Sequence, residues 1–154
     1  MALSDTRAPE TALRNGVTKT LQYNQPHLNG RELTITDAMT LEQVSAGQMP
    51  ICIVGHPQNY NQTPVSHDSV EFTADVPFIL AISRGLTDIK AADALALMAH
   101  TIRQILNVAE SLGTGEEYGV FNCTSPMIEG ESYESEIGIA KEYTLSIRGY
   151  FEAS

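Results

Sequence analysis

Thirteen residues, 70–82, constrain the fold of this chain more than any others. Val70, Phe72, Ala74, Val76, Phe78, Leu80 and Ile82 occupy every second position, with Glu71, Thr73, Asp75 and Ser83 on the alternate ones. Successive side chains of an extended strand point to opposite faces, so this spacing predicts a long strand with one face in a core. From Val76 to Ile82 apolar residues stand on both sides. Such a run suits a strand covered on both faces, by its own helices or by a neighbour. Pro77 has no N–H to give to a ladder, which predicts an edge position or a bulge, and a break near residue 77.

The other elements are placed around that strand. Leu13, Val17 and Leu21 recur every four residues behind Pro9, which suits a first helical turn, so a short N-terminal helix is predicted. Residues 22–48 read as an irregular connection, with turn signals at Asn24-Gln25-Pro26 and Asn29-Gly30. Within it, Leu33 and Ile35 suit a brief strand, and Leu41 with Val44 a helical turn. Met49–Val54 is a short buried strand, stopped by Gly55 and Pro57. Residues 55–69 are polar, contain two prolines and predict a long exposed loop. A long helix follows over about 88–111, capped by Thr87 or Asp88. Its stripe is Ile89, Ala92, Leu95, Met98 or Ala99, Ile102, Ile105 or Leu106, and Ala109, and Gly113 stops it. Residues 118–124 suit a strand, and 125–140 a second long loop rich in Glu and Gly. Tyr143, Leu145, Ile147, Gly149 and Phe151 alternate as a last strand. The whole predicts a single α+β domain over 1–154: a mainly antiparallel β-sheet packed against a long central helix and a short N-terminal helix.

Charge narrows the function. The net charge is −10, from 9 basic and 19 acidic residues. A conventional nucleic-acid binder needs a basic footprint, and this chain lacks one. Residues 105–154 hold nine Glu against only Lys141 and Arg148. No apolar stretch approaches the ~20 residues of a membrane span, and no secretory leader is visible, so no membrane partner is expected and synthesis inside the cell fits best. Cys52 and Cys123 lie in apolar runs and suit buried free thiols.

The residues offer little for catalysis. His27, His56, His67 and His100 lack metal-ligand spacing, and Gly113-Thr114-Gly115 follows a helix, where a phosphate loop precedes one. Carboxylate pairs such as Glu116-Glu117 suit a solvated surface. No metal, cofactor or catalytic residue is expected, and the candidate chemistry is that of assembly. The candidate contacts are the two long loops, because loops on a rigid scaffold carry function. They are represented by His56, Asn59, Tyr60 and His67 in the first and Glu129, Glu131, Glu134 and Glu136 in the second.

The segments MPICIVGHP, SVEFTADVPFILAISRG, IKAADALALMAHTIRQILNVAESL, YGVFNCTSP and EYTLSIRGYFE, behind an early helix, form an ordered series. Over residues 10–21 and 49–152 that series resembles the tail terminator, or head–tail joining, proteins of long-tailed bacteriophages. The resemblance implies a non-enzymatic virion subunit of the tail or neck, made and assembled in the host cytoplasm. It implies a self-associated ring, usually of six copies, that caps the tail tube protein and meets a neck or connector protein. DNA would pass through the ring without specific binding. In such a ring the four Glu of 129–136 are either a solvated surface, a contact for a basic neighbour, or a negative collar facing the channel. Two other readings stay open: another neck, head-completion or tail-tube subunit, and a small cytosolic enzyme or ligand-binding domain with an unrecognised site.

Overall fold

A computed structural model describes residues 9–28, 30–83, 91–108, 121–123, 128–135 and 137–152. The first helix, α1, spans Pro9–Asn24. Leu13, Val17 and Leu21 are fully buried along it, and Ala12 and Thr20 widen the stripe. Thr20 stays satisfied there because its hydroxyl donates to the Gly16 carbonyl at 2.8 Å. The connection that follows is more ordered than its composition suggests. It holds a small hairpin of β1 (His27–Leu28) and β2 (Arg31–Glu32), then β3 (Thr34–Thr36). Two 3-10 turns come next, Leu41–Gln43 and Ala46–Gln48. The backbone N–H of Thr40 donates to the Gln43 side chain, and that of Ser45 to Gln48, each at 2.8 Å. Each turn is therefore closed on itself before the chain enters the sheet.

The remaining elements are β4 (Ile51–Val54), β5 (Gln58–Ser66), β6 (Ser69–Ser83), α2 (Ala91–Val108), β7 (Phe121–Cys123), β8 (Ile128–Glu134) and β9 (Gly138–Glu152). The two 15-residue strands β6 and β9 pair antiparallel along their whole length, from Ser69↔Glu152 to Ser83↔Gly138. Each carries two shorter strands end to end on its outer side. On β6 these are β4, opposite residues 78–81, and β5, opposite 69–75. On β9 they are β8, opposite 139–144, and β7, opposite 147–149. β3 closes the far edge by pairing parallel to β4, so the sheet is mixed with one parallel pair. The fold is α+β.

Alternation then sorts the core. Phe72, Ala74, Val76, Phe78, Leu80 and Ile82 of β6, Cys52 and Val54 of β4, and Tyr143, Leu145 and Ile147 of β9 share one buried cluster with both helices. α2 contributes Ala94, Leu95, Met98, Ala99, Ile102 and Leu106 to it. On the opposite face a smaller cluster joins Ile51, Ile53, Ala81 and Ala140 to Val44 and Met49. The double-sided apolar run of β6 is thus covered on both faces by its own chain.

Several sequence expectations are corrected. Residues 55–69 are not a long loop: most of them form β5, the partner of β6 in a hairpin turning at His67 and Asp68. Residues 125–140 are not a loop either, since β8 occupies Ile128–Glu134 and β9 already begins at Gly138. Among the described residues α1 has 16 residues and α2 has 18. Residues 88–90 and 109–111 of the expected helix, with Thr87, Asp88 and Gly113, lie outside the described residues.

Pro77 causes no break in β6. Its carbonyl accepts the Gly55 N–H at 2.8 Å, so its missing N–H faces the same side, where β4 ends and β5 has not begun. The gap in the outer ladder falls at the one residue that cannot donate. Gly55 is needed there: a Cβ would lie 2.8 Å from Pro77 Cγ and 3.1 Å from its carbonyl oxygen.

Leu95 and Ile102 sit inside the main cluster at 2% and 0% exposure. Leu95→Asp or Ile102→Asp places an unpaired charge there and is expected to abolish folding. Gln104→Ala, at an exposed position, should change stability by no more than ~0.5 kcal/mol. Thermal unfolding followed by circular dichroism reads all three, and wild-type behaviour of both Asp variants would contradict the assigned face. Gly55→Ala forces the Pro77 contact and should destabilise by ~1–3 kcal/mol in denaturant titration. An unchanged midpoint would show that the β4–β6 junction yields without cost.

Candidate assembly surface

The two segments singled out for assembly are edge strands at opposite corners of the sheet. β5 lies outside the 69–75 half of β6, and β8 lies outside the part of β9 that faces the other half of β6. The structure therefore does not bring them together.

On β5, alternation and local hydrogen bonds fix each residue. Asn59 has a positive φ of 53° at a register shift between Gln58 and Asn61, and its amide donates to Asp75 at 2.8 Å. Ser146 of β9 donates to the other Asp75 oxygen at 2.7 Å. One carboxylate thereby ties three adjacent strands on the face away from the helices. Tyr60 is half-buried and stacks on Phe72, with ring centroids 6.1 Å apart, while its hydroxyl donates to Gln62 at 3.0 Å. Tyr60 is an anchor of the hairpin more than a free contact. His56, before the hairpin, and His67, in its turn, are both exposed.

On β8 two of the glutamates are engaged by neighbouring side chains. Glu129 opposes Tyr143 and meets Lys141 at 2.8 Å, so a base is close at hand across the ladder. That contact, a hydrogen bond from Lys141, holds the ammonium above its ordinary pKa. Glu131 accepts the Tyr133 hydroxyl at 3.0 Å, which pushes the phenol pKa up. Tyr133 opposes Ala140 and Glu134 opposes Ile139, next to a register shift between Glu129 and Ser132. Glu129 and Glu131 accordingly point to opposite faces, and the segment is not one negative loop. Glu136 lies outside the described residues.

The pattern of apolar residues did not reveal a groove of about 530 Å³ on the helix-free face. Ala81 and Ala140 stand directly opposite each other in the β6–β9 ladder and floor it, with Gly138 beside them. A Cβ on Gly138 would collide with the Ile82 carbonyl and with Met49 Sδ, so the floor is at its minimum height. Leu41, Val44 and Met49 form one wall and Tyr133 with Ile137 the other. The available signal was the pair of small residues in strands otherwise filled by large ones, together with Tyr133 and Ile137 inside a Glu-rich segment.

Cys52 is fully buried between sheet and helices, and desolvation pushes its thiol pKa far up, which removes it as a nucleophile. Cys123 falls in β7, and its side chain lies outside the described residues. Among the described residues no group of three or more His, Cys, Asp and Glu could hold a metal ion. Among the described residues, too, no helix is long and apolar enough to cross a membrane. Compared with protein-family models and with curated proteins, the chain matches none.

Opposite β5, Glu71 and Arg148 form a second cross-strand pair at 3.0 Å. Hydrogen bonds from Arg148 and then Tyr150 lower the Glu71 pKa from its ordinary 4.5. A carboxyl depressed in the folded state stabilises above its unfolded pKa and loses that contribution as pH falls through the folded one. Arg148→Ala should return the Glu71 pKa toward 4.5 and remove its share of the acid sensitivity of unfolding. A carboxyl-carbon NMR titration reads this directly, and an unmoved Glu71 would show that Arg148 is not the cause.

Proposed function

We propose that this chain is a structural subunit of a bacteriophage virion, a tail-terminator-like protein of the tail or neck. It acts by assembly: copies associate into a ring, six by the family's habit, that caps the tail tube and joins it to the neck or connector. DNA passes through the opening without being held. Assembly takes place in the host cytoplasm.

The observation that supports this reading is the way the resembling segments lie together. Residues 10–21 belong to α1, MPICIVGHP contains β4, the long alternating segment is β6, and the last segment lies in β9. The strands among them belong to one sheet, and both helices pack on a single face of it. In this reading α2 is the central helix on which the sheet is laid down. A terminator needs two contact surfaces, and β5 and β8 offer edges at two separate corners.

Purified protein examined by size-exclusion chromatography with light scattering should give a closed species of several copies. Added to growing tail tubes, it should yield capped tubes of uniform length in electron micrographs. A compact monomer at all concentrations, with tubes that keep growing, would overturn the proposal.

A further inference from the structure

The outer ladder on β6 is pinned at both ends of β5. Upstream the Gly55 N–H is bonded to the Pro77 carbonyl, next to the Val54↔Phe78 pair. Downstream Ser66 pairs with Ser69 around the turn at His67 and Asp68, where the Ser66 hydroxyl donates to Asp68 at 2.9 Å. Between those two pairs the outer side advances twelve residues, from 54 to 66, and the β6 side nine, from 78 to 69. Three residues therefore have no opposite number, and each is taken up by an irregularity. One falls between Val54 and Gln58, one between Gln58 and Asn61, and one between Pro64 and Ser66. The pinned ends dictate how many there are, but not where the middle one sits.

The middle one decides the face of Tyr60. Gln58 opposes Asp75 and Asn61 opposes Thr73, so Asn59 and Tyr60 together span the single residue Ala74. Because two residues span one, Tyr60 falls on the helix face, where it stacks on Phe72 and packs against the main cluster. Without the bulge, the register of Gln58 would carry on differently. Asn59 would oppose Ala74, and Tyr60 would oppose Thr73 on the helix-free face, beside Arg148 of β9. Tyr60, Asn61 and Gln62 would all change faces, because a slip of one residue reverses the alternation. The extra residue would then be absorbed further along, toward Pro64.

Asn59 is the residue that accommodates the bulge. Its φ of 53° lies in the left-handed region, which residues other than glycine seldom enter and which Asn tolerates best. Bulges whose first residue is left-handed ordinarily carry glycine there. Here the Asn59 amide instead donates to Asp75 at 2.8 Å, and Ser146 of β9 holds the other oxygen of that carboxylate at 2.7 Å. We propose that Asp75, acting through Asn59, fixes where the middle bulge of β5 falls and so turns Tyr60 onto Phe72. β5 is an outer strand, so the same contact decides which side chains this corner of the sheet presents on each face.

The test is NMR on the full chain, labelled at Tyr, Phe, Thr, Asn, Val and Leu. In wild type, nuclear Overhauser contacts should join the Tyr60 and Phe72 rings and the Asn61↔Thr73 pair. Asp75→Ala and Asn59→Ala should each lose both contacts and gain contacts between Tyr60 and Thr73. Contacts across the Val76↔Leu145 pair should persist in both variants and report an intact β6–β9 ladder. Adding Asn59→Gly to Asp75→Ala should restore the Tyr60–Phe72 contact, because glycine takes the left-handed position without a Cβ. Asn59→Ala changes an exposed residue and leaves Asp75 in place, so it decides the matter if Asp75→Ala does not fold. A Tyr60–Phe72 contact that survives Asn59→Ala would overturn the proposal. So would loss of that contact with none gained to Thr73, since Asp75 would then hold β5 in place without choosing its register. Failure of glycine to rescue a folded Asp75→Ala chain would overturn it as well.

Discussion

From Ser69↔Glu152 to Ser83↔Gly138, β6 and β9 run in register with no bulge, so each strand fixes which face every side chain of the other occupies. A slip of one residue would turn Phe72, Val76, Phe78 and Leu80 out of the helix-side core and bring Glu71, Thr73 and Asp75 in. Burial on one face makes that slip prohibitive, and the helices α1 and α2 supply the burial. Everything outside the pair takes its position from it. β4 and β5 are set by β6, β8 and β7 by β9, and β3 only by way of β4.

The two halves of this sheet face different surroundings. Around residues 78–82 it lies between the helices and the segment that carries the two 3-10 turns, and β4 is buried on both sides. Around residues 69–75 only the helix face is dry, and the other face is held by cross-strand polar pairs. The outer strands are protected differently too. β5 carries Pro64 and two register shifts, features that discourage a further strand from pairing with its edge. β8 is fully exposed, with Ile128 and Tyr133 among its glutamates.

This division explains what could be read in advance. Strands with one dry face announce themselves by alternation, so β6 and the greater part of β9 were legible, and the stripes of α1 and α2 likewise. β5 and β8 have both faces in water along nearly their whole length, so no apolar period marks them. QNYNQTPVS and IEGESYE carry the composition of loops, and only the neighbouring strand makes them extended. Pro77 misled for a related reason: its tolerance depends on where two other strands end, which no local pattern contains. Among the candidate residues, Tyr60 and Glu129 proved to be engaged within the fold by Phe72 and Lys141. The groove was invisible because it arises from two alanines far apart in sequence that meet across one ladder.

The arrangement of β6 and β9 also has a kinetic side. β5 with β6 and β8 with β9 are local hairpins, of the kind that closes in ~1–10 μs. The ladder between β6 and β9 joins residues far apart in the chain, and its closure entropy is spent before most of its contacts exist. α2 lies between the two hairpins in sequence and packs against both β6 and β9 in the fold. The folding rate of such a chain follows from that single long-range closure more than from the strength of either hairpin.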